Sequence, residues 1–356
     1  MPINDDQHFA QHFGAHRPFL DTASIGLLPT ATVGALHRAI DLSASGEANW
    51  FDDWLGSTDT ARQLFAEMVK VDASRVATGP STSVLVALIA NSLPEGARIL
   101  APEIEFTSNL FPYLIHESRG VEVITVAEEK LVDAIDPSIT LVAVSAVQSA
   151  NGHVTDLDAI RARVRETGTL VAVDATQAAG WLPLTLDGLD AIVCSGYKWL
   201  VSPRGSAYLA VSERLQDKIT PLYANWYAGA SITDSFYGPP LRLASTARSL
   251  DPSPAWFSWV GAAESLALLG RIGIEAIYAH DITLATRFLN LLDEPVPARP
   301  SAIVSLPVVS DFDANSIPFV VSVRDGRLRI SFHLYNTLDD VERAAAALQG
   351  KLLRPN

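Results

Sequence analysis

Two residues near the middle of the chain can share one piece of chemistry. The run TLVAVD ends at Asp174, and the next apolar run, DAIVC, passes into Ser195-Gly196-Tyr197-Lys198. A lysine amine that has shed its proton condenses with an aldehyde, and a carboxylate can keep a pyridine nitrogen protonated so that the ring accepts electrons. Pyridoxal 5′-phosphate (PLP) needs such a pair. Singly, each residue has a plainer explanation: an Asp closing a strand is usually a helix cap, and a Lys after one is usually solvated. Together they stand beyond the ends of two successive strands, where open parallel sheets bind their ligands.

Other chemistries find little support. The chain has no GxGxxG after a strand, no P-loop, no HExxH and no GxSxG elbow. His12 and His16 could share a helix face, but no third ligand is near them, so no metal site is expected. The single cysteine, Cys194, excludes intramolecular disulfides and multi-cysteine metal sites. A net charge of −14 without a basic tract argues against nucleic acid and anionic membrane as partners. The opening MPINDDQHF has neither a basic region nor an apolar core of a signal peptide. No apolar run approaches the roughly 18 residues of a membrane span. The expectation is a soluble, cytoplasmic protein.

The elements that must position the pair follow from periodicity. Of 356 residues, 48% are apolar and 19% charged, enough to bury a large core. RILAP (98–102), VEVITV (121–126), ITLVAVSAV (139–147), TLVAVDAT (169–176), DAIVCSG (190–196) and SAYLAV (206–211) predict strands, several of them buried on both faces. Segments 81–93 and 155–168 have helical spacing, and the alternation predicts βαβ units around a mostly parallel sheet. Residues 221–240, rich in aromatics, Gly and Pro, read as a long loop, and a helix follows from 256. The Pro-punctuated stretch 297–309 suggests an edge strand. In FVVSVRDGRLRISFHLY (319–335), Asp325-Gly326 signals a hairpin, and Thr337 with Asp340 forms a capping box for a last helix. The fold class is α/β: an N-terminal segment (1–25), a large domain (26–250) and a small α+β C-terminal domain (251–356).

DATQAAG followed by SGYKW, with FLDTASIGLLP (19–29), EIEFTSN (103–109) and RISFHLYNT (329–337) in order around them, resembles the class V branch of the fold type I PLP-dependent enzymes. That branch includes cysteine desulfurases and several carbon–sulfur lyases. The resemblance implies a set of roles. Lys198 would carry the cofactor, Asp174 would pair with its pyridine nitrogen, and Gln177 would reach its phenolic oxygen. Ser81, Thr82 and Ser195 would hold the phosphate, at the opening of a helix where backbone N–H groups favour anions. Phe106 would cover the ring where the family often has histidine, offering a flat apolar face but no proton. Arg329 would grip the substrate carboxylate with a bidentate fork. Ser253, in RSLDPSP, would reach across a homodimer interface to the partner's phosphate site.

The chain also departs from the family pattern. Tyr197 replaces the usual histidine before the lysine, and Ser149 stands where asparagine is common. A desulfurase needs a mobile thiolate to take up sulfur, whereas Cys194 ends an apolar strand and reads as a small buried hydrophobe. Around Phe106, in SLDPSPAWFSW and in RLRISFHLYNT, the sequence is most similar to the ergothioneine-pathway carbon–sulfur lyases. This implies β-elimination from hercynylcysteine sulfoxide, yielding ergothioneine as a sulfenate or thiol, with pyruvate and ammonia. An epimerase, an aminotransferase, a selenocysteine/cysteine lyase and a non-catalytic PLP-fold sensor or scaffold are the alternatives. Trp226, Tyr227, Phe236, Tyr237, Trp256 and Trp259 could cage a quaternary cation, but a dimer interface is the readier explanation.

Overall fold

The computed structural model describes residues 9–309, 311–324 and 326–353. Residues 1–8 of the opening stretch and Asp325 of the Asp-Gly turn lie outside them.

The first half runs α1 (Thr30–Ser45), α2 (Gly56–Met68), β1 (Val76–Gly79), α3 (Thr82–Ser92), β2 (Arg98–Pro102), α4 (Thr107–Leu114) and β3 (Glu122–Val126). It continues with β4 (Leu141–Ser145), α5 (Leu157–Thr167), β5 (Leu170–Asp174), β6 (Ala191–Ser195) and β7 (Ala207–Val211). The seven strands form one sheet in the order β1-β7-β6-β5-β4-β2-β3. Strands β2 to β6 pair in parallel, and only β7 runs against its two neighbours. The carboxyl ends of β1, β4, β5 and β6 therefore open on one edge, with Ser145 beside Asp174 in register.

Every residue of β4, β5, β6 and β7 is buried, so these strands are apolar without alternation. Successive residues go to opposite faces. Val142, Val144, Val171, Val173, Ile192 and Cys194 join one cluster with Phe65 of α2 and Ile160 of α5. Leu141, Ala143, Leu170, Ala172, Ala191 and Val193 join another with Leu85, Leu88 and Ile89 of α3. The result is the expected mostly parallel sheet between two helical layers. Strand β1 was not visible as a strand in the sequence, because its four residues are too few for periodicity to show.

Residues 221–240 form a loop with one 3-10 turn, Thr233–Ser235. Helix α6 (Trp256–Ile272) then packs on α1 and α2, and α7 (Ile274–Leu291) follows. The antiparallel sheet β8-β10-β9 comprises β8 (Ile303–Pro307), β9 (Ser322–Arg324) and β10 (Arg327–Ser331). Strand β8 lies at an edge, as its terminal Pro307 favours. Leu284, Phe288, Val304, Leu306, Leu328, Ile330 and Val341 form its core with α7 and α8 (Leu338–Leu348). The Thr337–Asp340 capping box is present at the start of α8.

Candidate active site

At the edge where β1, β4, β5 and β6 end lies a cavity of about 140 Å³. Asp174, Gln177, Lys198, Ser195, Ser81, Thr82 and Phe106 all line it. The amine and the carboxylate thus face one space.

Asp174 closes β5, and its Oδ1 accepts the Thr176 N–H at 2.8 Å. Burial pushes its carboxyl above the usual range, against the pull of the Thr176 bonds and of Lys198. Lys198 is 5% exposed. Burial, opposed by the Asp174 charge, lowers its amine to about 8. Among the described residues Nζ meets ring faces rather than acceptors: it stands 5.3 Å from the Phe106 ring centre and 5.7 Å from that of Tyr197. The backbone beneath is tightly approached. Gly26 N donates to Tyr197 O at 2.9 Å, and a Cβ at position 26 would stand 2.0 Å from Lys198 O. Only glycine fits there.

The opposite wall is the N-terminus of α3. Its cap residue, Ser81, makes no side-chain capping bond, so the end is open to an anion. Thr82 N donates to Ser195 Oγ at 3.0 Å, and Thr82 Oγ1 lies 2.8 Å from that oxygen and 3.0 Å from Thr176 Oγ1. Ser195 N donates to Thr176 Oγ1 at 3.1 Å. Hydroxyls and N–H groups therefore converge where a phosphate would sit, while the acceptor-free amine and the buried carboxylate occupy the rest of the cavity. These residues fit PLP.

Gln177 is fully engaged. Its Nε2 donates to Ala23 O and to Ser149 Oγ, both at 2.9 Å, and its Oε1 accepts Trp199 Nε1 at 2.8 Å. Arg329, on β10, does not line the cavity itself but stands behind Ser149, which does. Its guanidinium donates to Ser149 O (2.7 Å), Ser24 Oγ (2.7 Å) and Ser322 Oγ (3.2 Å), and approaches Asp21 at 3.6 Å. Phe106 caps α4 with its ring at the cavity mouth. Ser253 is exposed and outside the lining.

Three contributors had no assigned role in the sequence reading. Thr176 joins the carboxylate to the wall made by Ser195 and the N-terminus of α3; the Asp-x-Thr spacing of a local side-chain turn is its signal. Arg204 lines the cavity, its guanidinium carbon 5.0 Å from the Tyr197 ring centre, and has no local signature. Buried Glu105 accepts N–H groups from Ser145 (2.8 Å) and Phe106 (3.0 Å) and so braces the ring that faces Lys198. Cys194 is fully buried; its Sγ donates to Ser195 O at 3.4 Å, and burial drives the thiol well above its ordinary value. Of the six candidate aromatics, Tyr227 and Trp259 belong to the core. Trp226 and Trp256 instead meet Trp50, which stacks on Trp256 at 5.4 Å.

The chain is similar to several known proteins. An uncharacterized aminotransferase of Bacillus subtilis is 25% identical over 328 residues, covering 86% of either chain. A probable cysteine desulfurase of Methanothermobacter thermautotrophicus is 27% identical over 290 residues, 75% of this chain and 70% of that one. The cystine C–S lyase C-DES, solved with its product cysteine persulfide, shares the fold at a TM-score of 0.85 and 19% identity, over 95% of this chain and 99% of that one. The aminotransferase class V profile spans residues 53–300, from α2 through both halves of the cavity to the start of the small sheet, and the chain belongs to that family of enzymes, with PLP as its cofactor.

Proposed function

We propose that the protein is a PLP-dependent carbon–sulfur β-lyase acting on a cysteine S-conjugate sulfoxide, with hercynylcysteine sulfoxide as its substrate. The observation that carries this reading is Cys194. The chain's one thiol is sealed in the sheet with its proton held on, so no residue can accept sulfur as a desulfurase requires. Elimination needs no such acceptor.

When bound, PLP supplies a cationic ring that stores the electron pair left at the substrate Cα. Ser81, Thr82 and Ser195 hold its phosphate, and Asp174, shielded from water, keeps the ring nitrogen protonated. The Lys198 amine, lowered to about 8, takes the Cα proton. Arg329 binds the substrate carboxylate, exchanging a serine partner for it. Phe106 covers the reacting face. The sulfur group leaves as a sulfenate, whose oxygen shares the charge, and the three-carbon remainder takes up water to give pyruvate and ammonia. The named chemistry of C-DES, a fold neighbour, supports carbon–sulfur cleavage on this scaffold.

The same reading includes a homodimer in the cytoplasm, with Ser253 reaching the phosphate site of a second copy. The aromatic surface that joins half-buried Trp50 and Trp226 to the exposed Phe236 and Tyr237 supports an interface. Among the described residues no helix is long and apolar enough to cross a membrane.

The test is a product assay with hercynylcysteine sulfoxide, run beside Lys198→Ala. Equal amounts of pyruvate and ammonia, absent with the variant, support the lyase. A racemised or keto product without sulfur release points to an epimerase or aminotransferase instead. A protein that gains no visible cofactor absorbance with PLP would be a sensor or scaffold.

A further inference from the structure

The turn that carries Lys198 is fastened at every carbonyl from Tyr197 to Val201. Tyr197 O accepts from Gly26 N (2.9 Å) and Lys198 O from Val201 N (3.1 Å). Leu200 O accepts from Ser202 Oγ and Val201 O from Ser265 Oγ, each at 2.8 Å. Such fastening is needed, because Val201, a β-branched residue, sits at φ 44° in the left-handed region. Backbone of that kind persists only where its surroundings over-determine it.

The Trp199 carbonyl has a different kind of partner. His333 Nε2 reaches it at 3.0 Å. A carbonyl oxygen only accepts, so this nitrogen carries a hydrogen. The other ring nitrogen, Nδ1, faces Asp281 Oδ2 at 2.8 Å, and a second proton lies between them. The remaining oxygen of Asp281 is held by His280 Nδ1 at 2.9 Å. Asp281 and His333 are completely buried, and the indole of Trp199 meets the His333 ring edge-on at 5.2 Å. This cluster of titratable groups has no part in the elimination chemistry, yet the N–H at His333 Nε2 points at the residue after Lys198. His333 also lies four residues beyond Arg329 on the chain leaving β10.

We propose that His333, oriented by Asp281, is a positioning residue for Lys198: it clamps the Trp199 carbonyl and so holds the strained turn that aims the amine at the Asp174 cavity. The same strand end that presents Arg329 to the substrate carboxylate thereby supports the lysine, joining the small sheet to the reacting centre. The inference rests on Lys198 being the cofactor-bearing lysine and is independent of the sulfoxide as substrate.

The experiment uses His333→Leu, His333→Gln and the wild type. The full-length protein freed of cofactor is labelled with acetic anhydride across a pH series, and acetylation of Lys198 is read by peptide mass spectrometry. The wild-type midpoint is expected at about 8. His333→Leu, which cannot donate to Trp199 O, should move it upward by about one unit as the amine gains solvent. In the PLP-loaded enzyme it should lower kcat by roughly tenfold or more, with KM within about threefold. His333→Gln, whose amide can still donate, should restore both. A folded His333→Leu with an unmoved midpoint overturns the proposal, and so does a Gln variant no better than Leu. Should His333→Leu fail to fold, the Gln variant decides: a wild-type midpoint supports the clamp, and a shifted midpoint or failure to fold overturns it. If the sulfoxide yields no pyruvate while the labelling behaves as expected, the lyase reading fails and the clamp stands.

Discussion

Arg329 directs one nitrogen, Nη1, at both oxygens of Ser149, the carbonyl at 2.7 Å and the hydroxyl at 3.1 Å. The same hydroxyl accepts Gln177 Nε2 at 2.9 Å. The group expected at the phenolic oxygen of the cofactor and the group expected at the substrate carboxylate are thus joined through a single small side chain. An asparagine at 149 would bring its own N–H donors between two groups that already donate there. A serine oxygen can receive from both.

Arg329→Lys keeps the charge but loses the planar fork. Each charge-assisted hydrogen bond is worth about 1.5–3 kcal/mol, so KM should rise by roughly ten- to a hundredfold while kcat changes less. Steady-state kinetics over a range of substrate concentrations measure this. An unchanged KM would remove Arg329 from the carboxylate site.

The Lys198 amine, lowered to about 8 from an ordinary 10.5, sets how fast the cofactor-free protein captures PLP, since only the neutral amine reacts. Stopped-flow uptake should accelerate as pH rises and level off above about 8. A plateau reached only above pH 10 would contradict the burial argument. The sign for stability follows. The folded chain prefers the neutral amine, so this group's contribution is complete above 10.5 and is lost as pH falls through about 8.

Asp174 shows the reverse linkage. Its carboxyl is raised by burial, so the folded chain holds the proton more tightly than the unfolded one. Its favourable contribution is complete at acid pH and disappears as pH rises through the folded value. At neutral pH the site therefore trades stability for function. Asp174→Asn can still accept the Thr176 N–H, and it removes the buried charge. The cofactor-free variant should melt about one to two degrees higher, on the order of 1 kcal/mol, while turnover with PLP falls by roughly a hundredfold. Paired melting curves and kcat values check this, and a variant that melts lower refutes the trade.

The strands that end at Asp174 and Ser195 were readable because burial on both faces leaves an apolar run with no alternation. The meeting of Asp174 and Lys198 in one cavity was readable because both residues follow such runs. The surroundings of Arg329 were readable only in part: Ser322 is its cross-strand partner where β9 pairs with β10, as the hairpin signal implies, whereas Ser24 and Ser149 arrive from distant segments and carry no common local pattern. Strand β1 was hidden by its length. Trp50 lies some two hundred residues from Trp256, and only the folded chain stacks one on the other. His333 falls within RISFHLYNT, but its bond to Trp199 O spans 134 residues and leaves no trace in spacing.

Cys194 separates the proposed reaction from that of the desulfurases by chemistry rather than by resemblance. Its side chain belongs to the same buried cluster as Tyr208 and Ile192, on the sheet face away from α3. Cys194→Ala should cost about 1–2 kcal/mol in stability from the small void it leaves. Pyruvate release should stay within roughly twofold of the wild type, because the elimination asks nothing of a thiol. Iodoacetamide should leave the folded protein unmodified, since the thiolate and its access are both missing. The decisive measurement is sulfur release from a cysteine S-conjugate by the alanine variant. If it stops while PLP remains bound, Cys194 is a nucleophile after all, and its seal in the sheet must open during turnover.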